Sequence, residues 1–103
     1  MEGKQLMAFV VAAIWRAKPG EDTRILNIIK TMTPLSRAEP KCLYYQAQVS
    51  ADDPATFLLY EQYADAQGYE DHKATEHFQR HVFGHALQYL AERQVSTYET
   101  IDA

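Results

Sequence analysis

The four histidines of the chain, the side chains that titrate nearest neutral pH, all fall within residues 72–85, HKATEHFQRHVFGH. Three of them, His77, His81 and His85, stand four residues apart, and two histidines at that spacing on a helix can ligate one metal ion. The neighbouring residues argue against zinc-protease chemistry. No glutamate follows His77 directly, and Arg80 places a positive charge between His77 and His81. At about 100° per residue the trio drifts only about 40° per step. It borders a second stripe, Phe78, Val82, Ala86 and Leu90, which Phe83 and Leu87 extend. That second stripe reads as the core face. The trio is therefore expected to be its solvated flank, with Glu76 pairing with Arg80 at i+4 and no metal bound.

His72 differs. It lies about 140° from His77 on a continuous helix and meets the trio only if the helix breaks. Tyr69, three residues earlier, shares its face and should turn that face inward. An inward histidine is either a satisfied core residue or a catalyst, and the residues alone leave both open.

The elements that must position these side chains follow from periodicity. Residues 8–17, AFVVAAIWRA, are rich in β-branched and aromatic types and end at KPGE, a buried strand and its turn. Pro19 to Thr23 opens a helix with acids in its first turn. Its apolar stripe is Ile25, Ile28, Ile29, Met32 and Leu35, and Pro34 predicts a kink or early end near Thr33. SRAEPK reads as the exit loop. Residues 42–49 and 56–63 are strands joined through SADDPA, a hairpin. Leu43, Tyr45, Ala47 and Val49 share one face of the first, with Cys42, Tyr44, Gln46 and Gln48 on the other. In the second, Phe57, Leu59, Glu61 and Tyr63 share one face. Residues 65–91 are helical in two pieces, and 94–101 form a last strand with Val95, Thr97, Glu99 and Ile101 on one side. The order β-α-β-β-α-β is the ferredoxin-like α+β pattern, a four-stranded antiparallel sheet with both helices on one face. The other face would stay bare in a monomer. The first strand is apolar on both sides, so that face is expected to pack on a second copy.

The 103 residues imply one domain over 1–103, with 1–6 a flexible N-terminus. A net charge of −4 without a basic block argues against nucleic acid. The apolar run Met7 to Trp15 is far short of the roughly 20 residues of a membrane helix. It leads into Arg16 and Pro19-Gly20 without a small-residue cleavage site, so it reads as a strand and not as a signal peptide. The single cysteine, Cys42, has no partner for an internal disulfide and suits a reducing, cytoplasmic setting.

KPG after an apolar strand, SRAEPKCLYY leading into another, and DDPATFLLYEQYADAQGYEDHKATEHF together resemble the antibiotic biosynthesis monooxygenase domain family. The resemblance runs from about Phe9 to Ile101. It is most specific at Glu61, Tyr63, Tyr69, His72, Thr75, His77 and Phe78, with Tyr63 where members often carry tryptophan. It implies a dimeric α+β barrel in which two sheets pack face to face. It also implies a monooxygenase that oxidises a small aromatic, quinol or polyketide-like substrate with O2 and no cofactor. The haem-degrading branch is disfavoured, because the first strand has no asparagine and the only tryptophan lies in that strand.

Such chemistry needs a base, a donor for the substrate anion and a dry apolar pocket. His72 is the candidate base or donor, and Glu61 would orient it or act itself. Tyr69, Tyr63, Tyr45, Phe57, Trp15 and Phe78 are the candidate substrate contacts. Two other readings use the same pocket: a dimeric small-ligand-binding module, and an isomerase acting through His72 and Glu61.

Overall fold

The computed structural model describes residues 7–102. The expected flexible segment 1–6 lies outside the described residues. Strand β1 runs Phe9–Ala17. It ends in a turn where Glu21 N–H donates to the Lys18 carbonyl at 2.9 Å. Pro19 and Gly20 occupy its two central positions, and Gly20 takes φ 81°, the left-handed value that glycine adopts without steric cost. Helix α1 spans Asp22–Arg37. The hairpin of β2 (Cys42–Val49) and β3 (Thr56–Tyr63) follows. Then come α2 (Ala66–Ala74) and the short α3 (Glu76–Phe78), which continues into a π-helical turn over Gln79–Phe83. A 3₁₀ turn, Ala86–Tyr89, leads into β4 (Leu90–Glu99).

The sheet is antiparallel with order β2-β3-β1-β4, the ferredoxin-like arrangement. Register puts Val11, Ala13 and Trp15 of β1 opposite Glu61, Leu59 and Phe57 of β3. These side chains share the helix-covered face. They meet Ile25, Ile28, Ile29 and Met32 of α1 and Phe78, Val82 and Ala86 beyond α2, all buried.

Several expectations change. Pro34 neither ends nor interrupts α1. The carbonyl it deprives of a partner, four residues back at Lys30, lies on the exposed side, where water can serve it. Leu35 is 44% exposed, and the buried position belongs to Ser36. At about 100° per residue, Ser36 falls about 20° from Ile25, inside the stripe, and Leu35 about 80° away, beyond its edge. The exit loop is correspondingly shorter than SRAEPK. In β2 the register shifts between Cys42 and Tyr44. That bulge leaves Leu43 58% exposed and puts Cys42 on the side of Tyr45, reversing both assignments.

The helical reading of 65–91 is too long. The chain is already extended at Leu90, and Ile101 is 94% exposed beyond the strand. Phe83 and Leu87 are exposed as well. The π turn and the 3₁₀ turn rotate the chain by amounts that a uniform 100° step does not describe, so His77, His81 and His85 do not form one even stripe.

Candidate active site

Each side chain of the site is set by a local feature. Asp65 caps α2 by accepting from Gly68 N–H at 3.0 Å. Gly68 is needed here, because a Cβ on it would lie 2.9 Å from the Cβ atoms of both Lys41 and Tyr63. This close approach seats α2 against the end of β3 and carries Tyr69 and His72 inward. His72 is 1% exposed.

The helix then breaks. Thr75 is extended, with ψ 154°; its hydroxyl donates to the His72 carbonyl at 2.7 Å and accepts from Phe78 N–H at 3.1 Å. This break brings His77 back toward His72. Both rings meet one carboxylate, that of Glu39 in the loop after α1. His72 Nδ1 lies 2.8 Å from Glu39 Oε2 and 3.0 Å from Oε1. His77 Nε2 lies 2.6 Å from the same Oε2. His77 is thus a member of the site and not a solvated flank residue. The Glu39 side chain is 9% exposed, less buried than the His72 ring and more buried than the His77 ring.

A carboxylate only accepts hydrogen bonds. The ring nitrogens facing Glu39 therefore carry the hydrogens, and the neutral tautomer of His72 keeps its lone pair on Nε2. That atom is 3.9 Å from Glu61 Oε1, beyond a direct hydrogen bond. Glu61 projects from β3 and is 4% exposed. Its Oε1 accepts from the Tyr63 hydroxyl at 2.6 Å. Burial pushes the Glu61 carboxyl above its ordinary range, against the opposing influence of His72 and the Tyr63 hydrogen bond. Burial, reinforced by Glu61, likewise holds the Tyr63 and Tyr45 phenols in their protonated form.

An aromatic shell surrounds His72. Phe78 meets it edge-on at 4.9 Å, Tyr63 lies at 5.6 Å, and Tyr69 stacks at 6.3 Å. Between this shell and the sheet lies a cavity of about 10 Å³, room for about one water molecule. Trp15, Tyr45, Tyr69, Phe78, Glu61 and His72 all line it. Of the candidates named from sequence, Tyr63 and Phe57 do not line the cavity; Tyr63 packs against His72 and holds Glu61, and Phe57 packs in the core beside Trp15. The cavity opens toward β4, the edge strand, where half-buried Tyr69 and Arg93 and the 36%-exposed Val95 form the rim. A planar ligand enters only if these rim side chains move.

Glu39 and Arg93 are the site residues that sequence reasoning did not single out, and His77, named there within the resemblance but assigned by spacing to the solvated flank, joins them. Glu39 sits in a loop, where periodicity carries no signal. The break at Thr75 was the missing step for His77. Glu39, His72 and His77 offer three donor atoms within 4.8 Å of one another, a spacing that can hold a divalent ion. The hydrogen bonds account for the same atoms without one. His81 stands apart, lowered in pKa by partial burial and by Arg80. Cys42 is half-buried and its thiol is pushed up by desolvation, which disfavours the reactive thiolate.

The sequence profile described as antibiotic biosynthesis monooxygenase matches residues 7–82. A comparison with curated proteins finds no match. Among solved structures, a protein of Pseudomonas aeruginosa is 26% identical, with a TM-score of 0.87 over 96% of this chain and 99% of its own. A structure described as an antibiotic biosynthesis monooxygenase is also 26% identical, with a TM-score of 0.80 over 92% and 98%. A protein of Shewanella oneidensis, at 23% identity, shares the fold with a TM-score of 0.88 over 97% and 96%.

Proposed function

The chain belongs to the antibiotic biosynthesis monooxygenase family, and from that premise we propose that it oxidises a small aromatic or quinol-type substrate with O2 and no bound cofactor. One observation carries the reading. His72 is pinned through Nδ1 on Glu39, while its other nitrogen faces a buried carboxyl at an apolar cavity.

His72 Nε2 takes a proton from the substrate, and Glu39 holds the ring in the tautomer that can do so. The protonated form of Glu61, which burial favours, supplies a donor near the oxyanion, and Tyr63 holds that carboxyl by donating to its Oε1. The stabilised carbanion then bonds O2 at a ring carbon. At the ring carbon one oxygen atom stays as a carbonyl in place of the single C–H bond, and the other leaves as water with that carbon's proton and the hydroxyl proton that His72 took. Apolar walls favour this course by keeping water from reprotonating the carbanion first. Tyr69, Tyr45, Trp15 and Phe78 supply the planar contacts, and Phe57 supports Trp15 from the core.

We further place the whole chain as one domain and its working form as a homodimer. Val10, Ala12, Ile14, Leu58 and Tyr60 lie on the sheet face that carries no helix, flanked by exposed Tyr44 and Tyr98. These apolar side chains, interspersed with Gln46, Gln48, Gln62, Gln94 and Ser96, suit burial against a second copy. No described helix is long and apolar enough to cross a membrane. The lone cysteine suits the reducing cytoplasm.

The test is O2 uptake by the purified protein against quinols and hydroxylated polycyclic aromatics, with anaerobic controls. Uptake lost in His72→Ala, with the fold intact by circular dichroism, is the expected result. Proton exchange into a ligand without O2 uptake would replace the oxygenase with an isomerase. Ligand protection of the fold with neither activity would leave a binding module.

A further inference from the structure

Two donors at the cavity have nothing to donate to. Trp15 Nε1 and Arg93 Nε are buried and lack a hydrogen-bond partner among the described residues. Buried donors without partners are uncommon in folded proteins. These two are neighbours by construction, because Trp15 of β1 and Arg93 of β4 are directly opposed in the sheet register. Both belong to the helix-covered face, and both line the cavity that His72 and Glu61 share. Trp15 is 2% exposed, so bulk water does not serve its N–H.

Arg93 is also unusual among the arginines. Arg16, Arg24 and Arg80 each pair with a glutamate, and Arg37 donates to the Tyr45 carbonyl. Among the described residues Arg93 has no carboxylate within ion-pair distance. A guanidinium half-buried in an apolar wall with an idle N–H is arranged for a planar anion, which it can meet with parallel hydrogen bonds.

Position gives these donors a distinct role. Glu61 stands opposite Val11 in β1, four residues from Trp15. At about 3.3 Å per residue the two levels are about 13 Å apart along the strand. The acid–base groups and the idle donors are thus attached at different levels of the sheet, while their side chains line the same cavity. A two-ring aromatic can bridge them, with a hydroxyl toward His72 and an anionic oxygen toward Arg93.

We propose that Arg93 and Trp15 form an oxyanion-recognition end of the cavity, selecting planar aromatic substrates that carry a carboxylate or ionised hydroxyl distal to the reacting group. This rests on the cavity being the substrate site. It adds the substrate class and two specificity residues, and it leaves the acid–base assignment unchanged.

The probes are 6-hydroxy-2-naphthoate and 2-naphthol, two-ring phenols that differ by one carboxylate. Each is titrated calorimetrically into the full chain at pH 7 under nitrogen, so that no turnover enters. The carboxylate probe should bind at least about tenfold more tightly, and added salt should shrink that preference. Arg93→Gln should abolish the preference while leaving 2-naphthol affinity within about threefold, and Arg93→Lys should retain part of it. Arg93 lies on an edge strand and is half-buried, so both variants are expected to fold; circular dichroism checks this.

Equal affinity of the two probes for the wild type overturns the proposal. So does a preference that survives Arg93→Gln, or failure of both probes to bind. His72→Ala should keep the preference. A preference intact without O2 uptake by any substrate sinks the oxygenase reading and leaves this one standing. Uptake without the preference does the reverse.

Discussion

Replacing Glu39 with alanine removes one acceptor from two rings whose surroundings differ, and the difference sets the expected cost. The His72 side chain is 2% exposed, and its Nδ1–H has no route to water once Glu39 is gone. An orphaned buried donor costs about 1–3 kcal/mol. The His77 side chain is 16% exposed, so water can replace the carboxylate there and the loss is about 0.5–1 kcal/mol. Together the variant should lose about 1.5–4 kcal/mol, which for a chain of this size lowers Tm by about 6–30 °C. His77→Ala removes only the wetter contact and should lower Tm by about 5 °C. Chemical denaturation of the two single variants and the double variant measures the coupling. Histidine nitrogen resonances should also show His72 leaving its Nδ1–H tautomer in Glu39→Ala. Any O2-dependent turnover should then fall about 100-fold or more. A Glu39→Ala stability within about 0.5 kcal/mol of His77→Ala, with the His72 tautomer unchanged, would refute the claim that Glu39 holds a buried imidazole.

Three further outcomes follow from other parts of the structure. Because burial raises the Glu61 pKa in the folded state, its contribution to stability is present below about pH 4.3 and is lost as pH rises through the raised value. Glu61→Gln should therefore stabilise the protein at pH 7 relative to pH 4; an effect that does not vary with pH in denaturation experiments contradicts this. Gly68→Ala places a Cβ 2.9 Å from Lys41 and Tyr63. That should cost about 1–3 kcal/mol, outweighing the helix-propensity gain of up to about 1 kcal/mol; a higher Tm would show that α2 shifts without penalty. Ala12→Glu puts a charge at the middle of the helix-free sheet face and should shift the protein from the proposed dimer to a folded monomer by light scattering.

Much of the fold was legible because alternation and helical spacing report directly on which side of an element is buried. Residues 42–49 and 56–63 match their strands to the residue. The errors arose where the backbone departs from a uniform step. The bulge at Leu43, the π turn after Phe78 and the uninterrupted course of α1 through Pro34 each depend on which carbonyls are wet or paired. No window of residue types records that. The site divides in the same way. Glu61 and His72 were visible as polar groups on inward faces, and the aromatic shell as their neighbours. Glu39 was not visible, because a loop glutamate looks the same whether it faces water or two imidazoles.

The sequence by itself determined the order of elements, the inward setting of His72 and Glu61, the helix-free apolar sheet face and the family likeness. Each of these is a property of local period and residue type. The tertiary structure decided that the helix breaks at Thr75 and that His72 and His77 share one carboxylate from a distant loop. It also decided that Trp15 and Arg93 stand opposed with idle donors at one cavity. Those facts depend on how α2 seats through Gly68 and how β1 and β4 register. Contacts between residues more than thirty positions apart are fixed by packing, and packing has no signature in the spacing of either partner alone.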